Sequence, residues 1–438
     1  MPNIYLVSLG CDKNRVDGET MVGTLRTAGY NVVHDPSQAA AIVVNTCGFI
    51  RDAVEESINL ILELAEYKTE GTCRALVVVG CMAERYRDEI RQSIPETDVI
   101  IGVGQYENIA QVMGSLIGAP SVVPQNEGMA RIAARFDDAT PHIAYIKIAE
   151  GCDNHCSYCT IPAIRGPYKS RPLEDIIEES RQLIAAGARE LVLVAQDTTL
   201  YGTDIYGEKK LPELLRSLAA LDNVQWIRLM YAYPEHITNE LINTMAELPQ
   251  VCKYIDMPIQ HSEDKILQAM GRGLFNKKEL TAKICALREK MPEIAIRTTV
   301  IVGFPGEGAR EFERLAEFVS ETKFDRLGVF PYSREDGTPA ATMPKQVRES
   351  TKISRMEQIM DLQQKIHFAK QGAKVGAVVD VMVDAVADTG EYTGRTQHDA
   401  YEVDAVVTFL CERELKPGDI CRVKITEAND YDLIGCIV

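Results

Sequence analysis

The sequence predicts a multidomain α/β protein: an N-terminal parallel-sheet α/β domain, a central partial barrel of six strand–helix units, and a small all-β barrel at the end. Three observations predict it. The 438 residues exceed what one hydrophobic core encloses, so two or three domains are expected. Apolar strand-like runs alternate with helical patterns, first up to residue 116 and again from His142. Beyond Gly372 the helical pattern gives way to short β runs separated by turns.

In the first stretch, "NIYLVSLGC", "AAIVVNTCGF" and "CRALVVVGC" read as strands that end at Cys11, Cys47 and Cys81. Asp17–Ala28 and Asp52–Tyr67 carry apolar residues at helical spacing. Strands this continuously apolar suit a parallel sheet covered on both faces. Sites in such sheets form beyond the carboxyl ends of the strands, where these three cysteines sit. Residues 117–141, which contain Gly, Pro, Ser and Asn, read as a linker.

The second series has strand candidates at 143–149, 190–196, 224–231, 253–258, 294–302 and 325–331, with helices such as Leu173–Ala186 and Gly308–Thr322 between them. Six units predict an open, partial (β/α)6 barrel spanning 142–344. Residues 345–372 read as a helical connector, and 373–438 as the all-β barrel.

Composition narrows the function. A chain with 46% hydrophobic and 25% charged residues is an ordinary globular one. No apolar run reaches the ~20 residues of a membrane span, and "MPNIYLVSLG" has no basic leader, so a cytoplasmic location is expected. There, twelve cysteines point to metal binding or catalysis rather than a disulfide framework. A net charge of −17 argues against a broad phosphate-neutralising surface.

The segment "EGCDNHCSYCTIPAIRG" places Cys152, Cys156 and Cys159 in a C-x3-C-x2-C pattern after the first barrel strand. Three readings compete. Zinc needs a fourth ligand, and His155 lies inside the loop. A redox pair uses Cys156 and Cys159 and leaves Cys152 idle. An iron–sulfur cluster uses all three and keeps one iron open.

The third pattern, with Tyr158 just before the last cysteine, resembles the signature of radical S-adenosylmethionine (SAM) enzymes. "SLGCDKNRVDGE", "VVNTCGFI" and "VVVGCMAERY" are similar to the N-terminal domain of the methylthiotransferases in that superfamily. "EGCDNHCSYCTIPAIRGPYKSR", "YIDMPIQH", "VIVGFPGE" and "YSREDGTPA" resemble their radical SAM domain, and the terminal β runs stand where they have a TRAM domain. The likeness spans essentially the whole chain. It implies two 4Fe–4S clusters, one on Cys152, Cys156 and Cys159 and one on Cys11, Cys47 and Cys81, with SAM as the other cofactor. From spacing alone, the second set reads equally as three core thiols at strand ends. The implied activity transfers a methylthio group to an unactivated carbon; beyond the two clusters, the resemblance names no catalytic residue.

Two branches share this chemistry. One modifies an adenosine in tRNA; the other modifies the β-carbon of an aspartate on small-subunit ribosomal protein S-twelve. "SLGCDKNRVD" and Glu335 in "YSREDGTPA" lean to the protein branch. The last segment leans the same way: residues 373–438 hold six Lys/Arg and thirteen Asp/Glu, a balance of −7, which suits a basic protein better than RNA phosphates. S-twelve, on or near the ribosome, is the expected partner, with tRNA as runner-up and an electron donor in addition. An iron–sulfur electron carrier is the competing class; it needs neither the barrel nor the terminal domain.

Further cofactor candidates are Gly303 and Gly306 in "VIVGFPGE", with Gln196 and Arg297 on or at the ends of strands. Asp256 and His261 flank "MPIQ" and either line a cavity or cap the next helix. Cys73 begins a strand. Cys252, Cys285, Cys411, Cys421 and Cys436 have no ligand spacing, and most are expected in the core with Trp226.

Overall fold

A computed structural model describes residues 1–69, 71–118, 140–273, 275–387 and 390–438. The first five strands are β1 (Asn3–Ser8), β2 (Asn31–Val33), β3 (Ala41–Thr46), β4 (Ala75–Gly80) and β5 (Val99–Ile101). They pair in the order β2-β1-β3-β4-β5, all parallel. Every residue of β3 and β4 is buried, because apolar clusters cover both faces of the sheet. Strand order reverses between β1 and β3, where an open α/β sheet leaves a crevice at its carboxyl edge. β2 and β5, three residues each, were too short to show in the sequence pattern.

The first helix spans Asp12–Thr27 and starts five residues before the expected Asp17. The reason is that Lys13, Asn14 and Asp17 are buried although polar, so its first turn carries no apolar periodicity. The linker expected over 117–141 falls largely outside the described residues.

The central domain is a six-stranded open sheet. Its strands are β6 (Ile143–Lys147), β9 (Glu190–Val194), β10 (Trp226–Leu229), β11 (Val251–Asp256), β12 (Ala295–Val302) and β13 (Arg326–Pro331), while β7 (Ala149–Glu150) and β8 (Lys169–Ser170) form a separate ribbon. The order is β13-β12-β11-β10-β9-β6, every pairing parallel. Helices pack on the outside through the largest apolar cluster, and amphipathic helices such as Leu173–Ala185 and Ala309–Thr322 bury one face there. Trp226 is buried on the inside of the curved sheet with Tyr145, Val192 and Tyr254.

The long helix Glu349–Gly372 leads into five strands: β14 (Val378–Val386), β15 (Glu391–Arg395), β16 (Val407–Leu410), β17 (Ile420–Asn429) and β18 (Asp432–Ile437). They close into a barrel in the order β14-β15-β16-β18-β17. Closure removes both sheet edges, leaving no strand free to pair with another chain. This barrel is docked on the central one. Met382 and Ala400 join the inner cluster, and Arg228, fully buried, donates to Gln397 O (2.9 Å) and Glu190 (2.6 Å).

Cys252 and Cys421 are core thiols as expected, Cys73 is buried just ahead of β4, and Cys411 is half-buried. Cys285 and Cys436 are exposed: the first lies in the helix Lys277–Lys290, the second near the end of β18.

Candidate functional site

Cys11, Cys47 and Cys81 follow three neighbouring strands, β1, β3 and β4, at the carboxyl edge of the sheet. Two glycines allow the chain ends to close in. Gly10 has φ +91°, and a Cβ there would stand 2.8 Å from Cys47 Cβ and 2.9 Å from its Sγ. A Cβ on Gly48 would meet the Met82 backbone at 2.7 Å. Asn14, fully buried, ties the three ends together. Its Nδ2 donates to Leu9 O and Thr46 O, both at 2.9 Å, and the Cys81 thiol reaches its Oδ1 at 3.6 Å. Ser57 Oγ accepts from the Cys47 amide (3.1 Å).

Cys47 and Cys81 are buried and Cys11 is exposed. Burial pushes the Cys81 thiol up to about 11; Arg165 opposes this, while Cys11 and Cys47 add to it. Burial, and Cys11 beside it, raises Cys47 as well. The three thiols thus lie within electrostatic reach of one another, and holding all three as thiolates requires added positive charge.

The second trio sits on the loop between β7 and the helix Ile161–Arg165. The Cys152 amide donates to Gly166 O (3.1 Å), which folds the loop back on itself. The Ser157 amide donates to Met270 O (2.9 Å), and Ser157 O accepts from the Ala340 amide (2.8 Å), so two other segments of the barrel domain fix the loop. Cys159 Sγ accepts from the Ile161 amide (3.4 Å), and Tyr233 OH lies 3.3 Å from Cys156 Sγ. Burial pushes Cys152 up to about 11 and Cys159 up to about 12, with Cys156 adding to both. His155, the extra ligand a zinc site would need, is exposed while Cys152 and Cys156 are buried.

Among the described residues, no three His, Cys, Asp or Glu side chains converge on one ion-sized point. A cubane of four irons and four sulfurs is wider than an ion and takes its thiolates further apart. Each trio is an all-sulfur donor set of the kind that holds iron–sulfur clusters.

A cavity of about 460 Å³ opens beside the second trio, lined by Phe49 of the N-terminal domain and by Tyr158, Thr299, Ile301, Tyr332 and Lys352. Phe304 packs edge-on against Tyr158 and Tyr332, with ring centroids 6.5 and 5.4 Å apart.

Arg165 links the segments that carry the two trios. It lies six positions after Cys159, yet its Nε and Nη2 donate to Cys81 Sγ at 3.4 and 3.3 Å. Its Nη1 donates to both oxygens of Glu150, two residues before Cys152, at 2.9 and 3.0 Å. Burial would raise the Glu150 carboxyl, but Lys147 and Arg165 hold it down at about 2.

Comparison with known proteins fits this arrangement. The Radical SAM superfamily matches residues 146–319, the TRAM domain residues 375–438, and the Uncharacterized protein family UPF0004 residues 3–102. The chain is 47% identical to the ribosomal protein uS12 methylthiotransferase RimO of Desulforamulus reducens, with 99% of each chain aligned. It is 44% identical to the protein of that name from Clostridioides difficile, over 100% of this chain and 99% of that one. The chain belongs to the RimO family of radical SAM methylthiotransferases. The solved radical S-adenosylmethionine methyltransferase TsrM of Kitasatospora setae shares the fold, with a TM-score of 0.55 over 78% of this chain and 77% of that one at 15% identity.

Within this RimO-family chain the remaining candidates are scattered. Gln196 donates from Nε2 to Glu150 Oε1 (2.9 Å), beside the second trio. Arg297 lies in the first half of β12, pairs with Asp256 (3.4 Å), and shares a cleft with Asp404 of the terminal barrel. The space a Cβ would take at Gly303 is filled by Lys352 Cγ at 2.3 Å, whereas Gly306 faces open space. His261 Nδ1 accepts from the Glu263 amide (3.0 Å) just ahead of the helix Asp264–Ala269, which has no side-chain cap. Asp256 accepts from the Tyr231 amide (3.1 Å).

Sequence reasoning missed Asn14, Arg165 and Glu150. The only signal was position, since each stands within six residues of a proposed cysteine ligand. Glu335, taken in the sequence as a mark of the substrate branch, is buried and paired with Arg85 across the domain junction.

Proposed function

We propose that this enzyme transfers a methylthio group to the β-carbon of an aspartate on small-subunit ribosomal protein uS12. One observation carries the reading: Arg165, six positions after Cys159, bonds to Cys81 Sγ of the first trio and to Glu150, two residues before Cys152, so the two cysteine-bearing loops meet across the domain junction. Full-length likeness to proteins named ribosomal protein uS12 methylthiotransferase supports the choice of substrate. So does the terminal barrel, where Asp380, Glu391, Glu412, Glu414 and Glu427 are exposed and would repel RNA phosphates while attracting a basic protein.

Cys152, Cys156 and Cys159 hold one 4Fe–4S cluster, and Cys11, Cys47 and Cys81 hold the other. When bound, the clusters and SAM supply the radical and sulfur chemistry that no side chain can perform on an unactivated C–H bond at neutral pH. The chain's own residues position and shield. Tyr158, Ile301 and Tyr332 offer an apolar wall to the cofactor's adenosine. Phe49, supplied from the other domain, helps exclude water from the same space. Arg165, Asn14 and the Arg85–Glu335 pair hold the two trios in fixed relation, so that a substrate carbon placed between them meets both. An electron donor and the ribosome are the implied partners. Among the described residues no helix is long and apolar enough to cross a membrane.

Mass spectrometry of uS12 and of tRNA from a strain lacking this gene tests the substrate. The methylthio mass is expected to vanish from uS12 and to persist on tRNA. The reverse outcome would exchange the branch.

A further inference from the structure

We propose that Arg165 is a positioning residue that sets the reduction potential of the site formed by Cys11, Cys47 and Cys81. The proposal rests on the reading that these three cysteines hold a cluster. Arg165 belongs to the barrel domain, six positions after Cys159, yet its Nε and Nη2 both aim at the Cys81 sulfur of the N-terminal domain (3.4 and 3.3 Å). Nη2 also donates to Asn14 Oδ1 (2.6 Å) and Asp17 Oδ2 (3.0 Å). With a side chain 1% exposed, water screens none of these contacts.

The charge count leaves the guanidinium effective at the sulfur. Two carboxylates, Asp17 and Glu150, face two cations, because Lys147 bonds to the same pair. Hydrogen bonds from a cation to a ligand sulfur stabilise the more negative, reduced state of an iron–sulfur centre and raise its potential. The fork geometry matters as well. One edge of the guanidinium grips Glu150, next to the Cys152 loop, and another grips Cys81, so one group links the two sites. A lysine keeps the charge and loses the fork.

The test uses the full-length chain carrying Cys152→Ala, Cys156→Ala and Cys159→Ala, so that only the site in question loads iron. Into this parent go Arg165→Lys and Arg165→Gln. Iron content and a potentiometric titration followed by electron paramagnetic resonance are the readouts. The parent is expected to load about four irons per chain. The Gln variant should titrate at a more negative potential, with Lys between; where Gln fails to load, a negative shift in Lys supports the proposal and an unshifted Lys overturns it. Equal potentials in all three, or loss of loading in Lys and Gln alike, overturns the proposal. A parent that binds no iron overturns the cluster reading itself, and the role of Arg165 falls with it.

Discussion

Arg85 of the N-terminal domain and Glu335 of the barrel domain form a 2.9 Å ion pair whose side chains are 11% and 6% exposed. Arg85 closes the short helix that Cys81 begins, and its Nη1 also donates to Gly48 O (2.9 Å), next to Cys47. Glu335 accepts from the Arg51 amide (3.0 Å) and from Ser333 Oγ (2.6 Å). One pair thus grips two of the cysteine-bearing loops and anchors them to the barrel.

Removing the carboxylate leaves Arg85 nearly buried without its partner. Glu335→Ala is expected to cost about 2 kcal/mol. It should lower the first thermal transition and reduce methylthio transfer more than SAM cleavage. The charge-swapped double variant, Arg85→Glu with Glu335→Arg, should recover part of the loss. A melting curve that matches the parent's would remove the clamp from the account.

Gly10→Ala places a methyl group against Cys47 in a backbone conformation that L-residues rarely adopt. The anaerobically reconstituted variant should hold about four irons per chain rather than about eight, and SAM cleavage should survive. Iron analysis alongside cleavage of SAM checks both halves of this expectation. Full iron loading would mean that the loop relaxes without losing its ligand.

Cys156→Ala and Cys47→Ala should separate the two sites. The first is expected to lose SAM cleavage and the second to keep it while transferring no sulfur. Chromatographic detection of the cleaved nucleoside and mass spectrometry of uS12 read the two steps apart. Abolished cleavage in Cys47→Ala would show that the sites do not divide the work.

Acid should loosen the seat of the terminal barrel. Glu190 is fully buried; burial alone would raise its carboxyl, but Arg228 and Arg395 pull it down to about 2. A depressed folded value means that this stability is complete above the ordinary glutamate value near 4.5 and is lost as pH falls towards 2. The contribution is about 3 kcal/mol at neutral pH. Thermal melts of iron-free protein between these limits should show it, and Glu190→Gln should flatten the slope there. An unchanged slope would place the acid sensitivity elsewhere.

The strands ending at Cys11, Cys47 and Cys81 were legible because apolar runs of near-uniform character announce a covered parallel sheet. Gly10 and Gly48 adjoin two of those cysteines but drew no reading from the sequence; only the packing reveals that each makes room for another cysteine-bearing loop. Asn14 and Arg165 could not be read. Neither belongs to a periodic pattern, and their partners lie up to 151 positions away, in another domain. Glu335 was noticed as a mark of the protein-modifying branch, but its pairing with Arg85 could not be read, because the partner lies 250 positions away. The terminal barrel was expected from its short β runs, but the parallel joining of β16 to β18 that closes it was not, because no local pattern encodes that contact.

Met382 and Ala400 sit among the side chains that fill the inside of the central sheet, and Tyr254 OH donates to Asp404 Oδ2 at 2.8 Å. The terminal domain is therefore a floor as well as an arm. A chain truncated after the long helix would not be a smaller catalyst but a hollow one, admitting solvent from beneath. The acidic outer strands, bolted through that floor, keep one bearing relative to the central sheet, so a basic partner seated on them would meet it at a fixed angle.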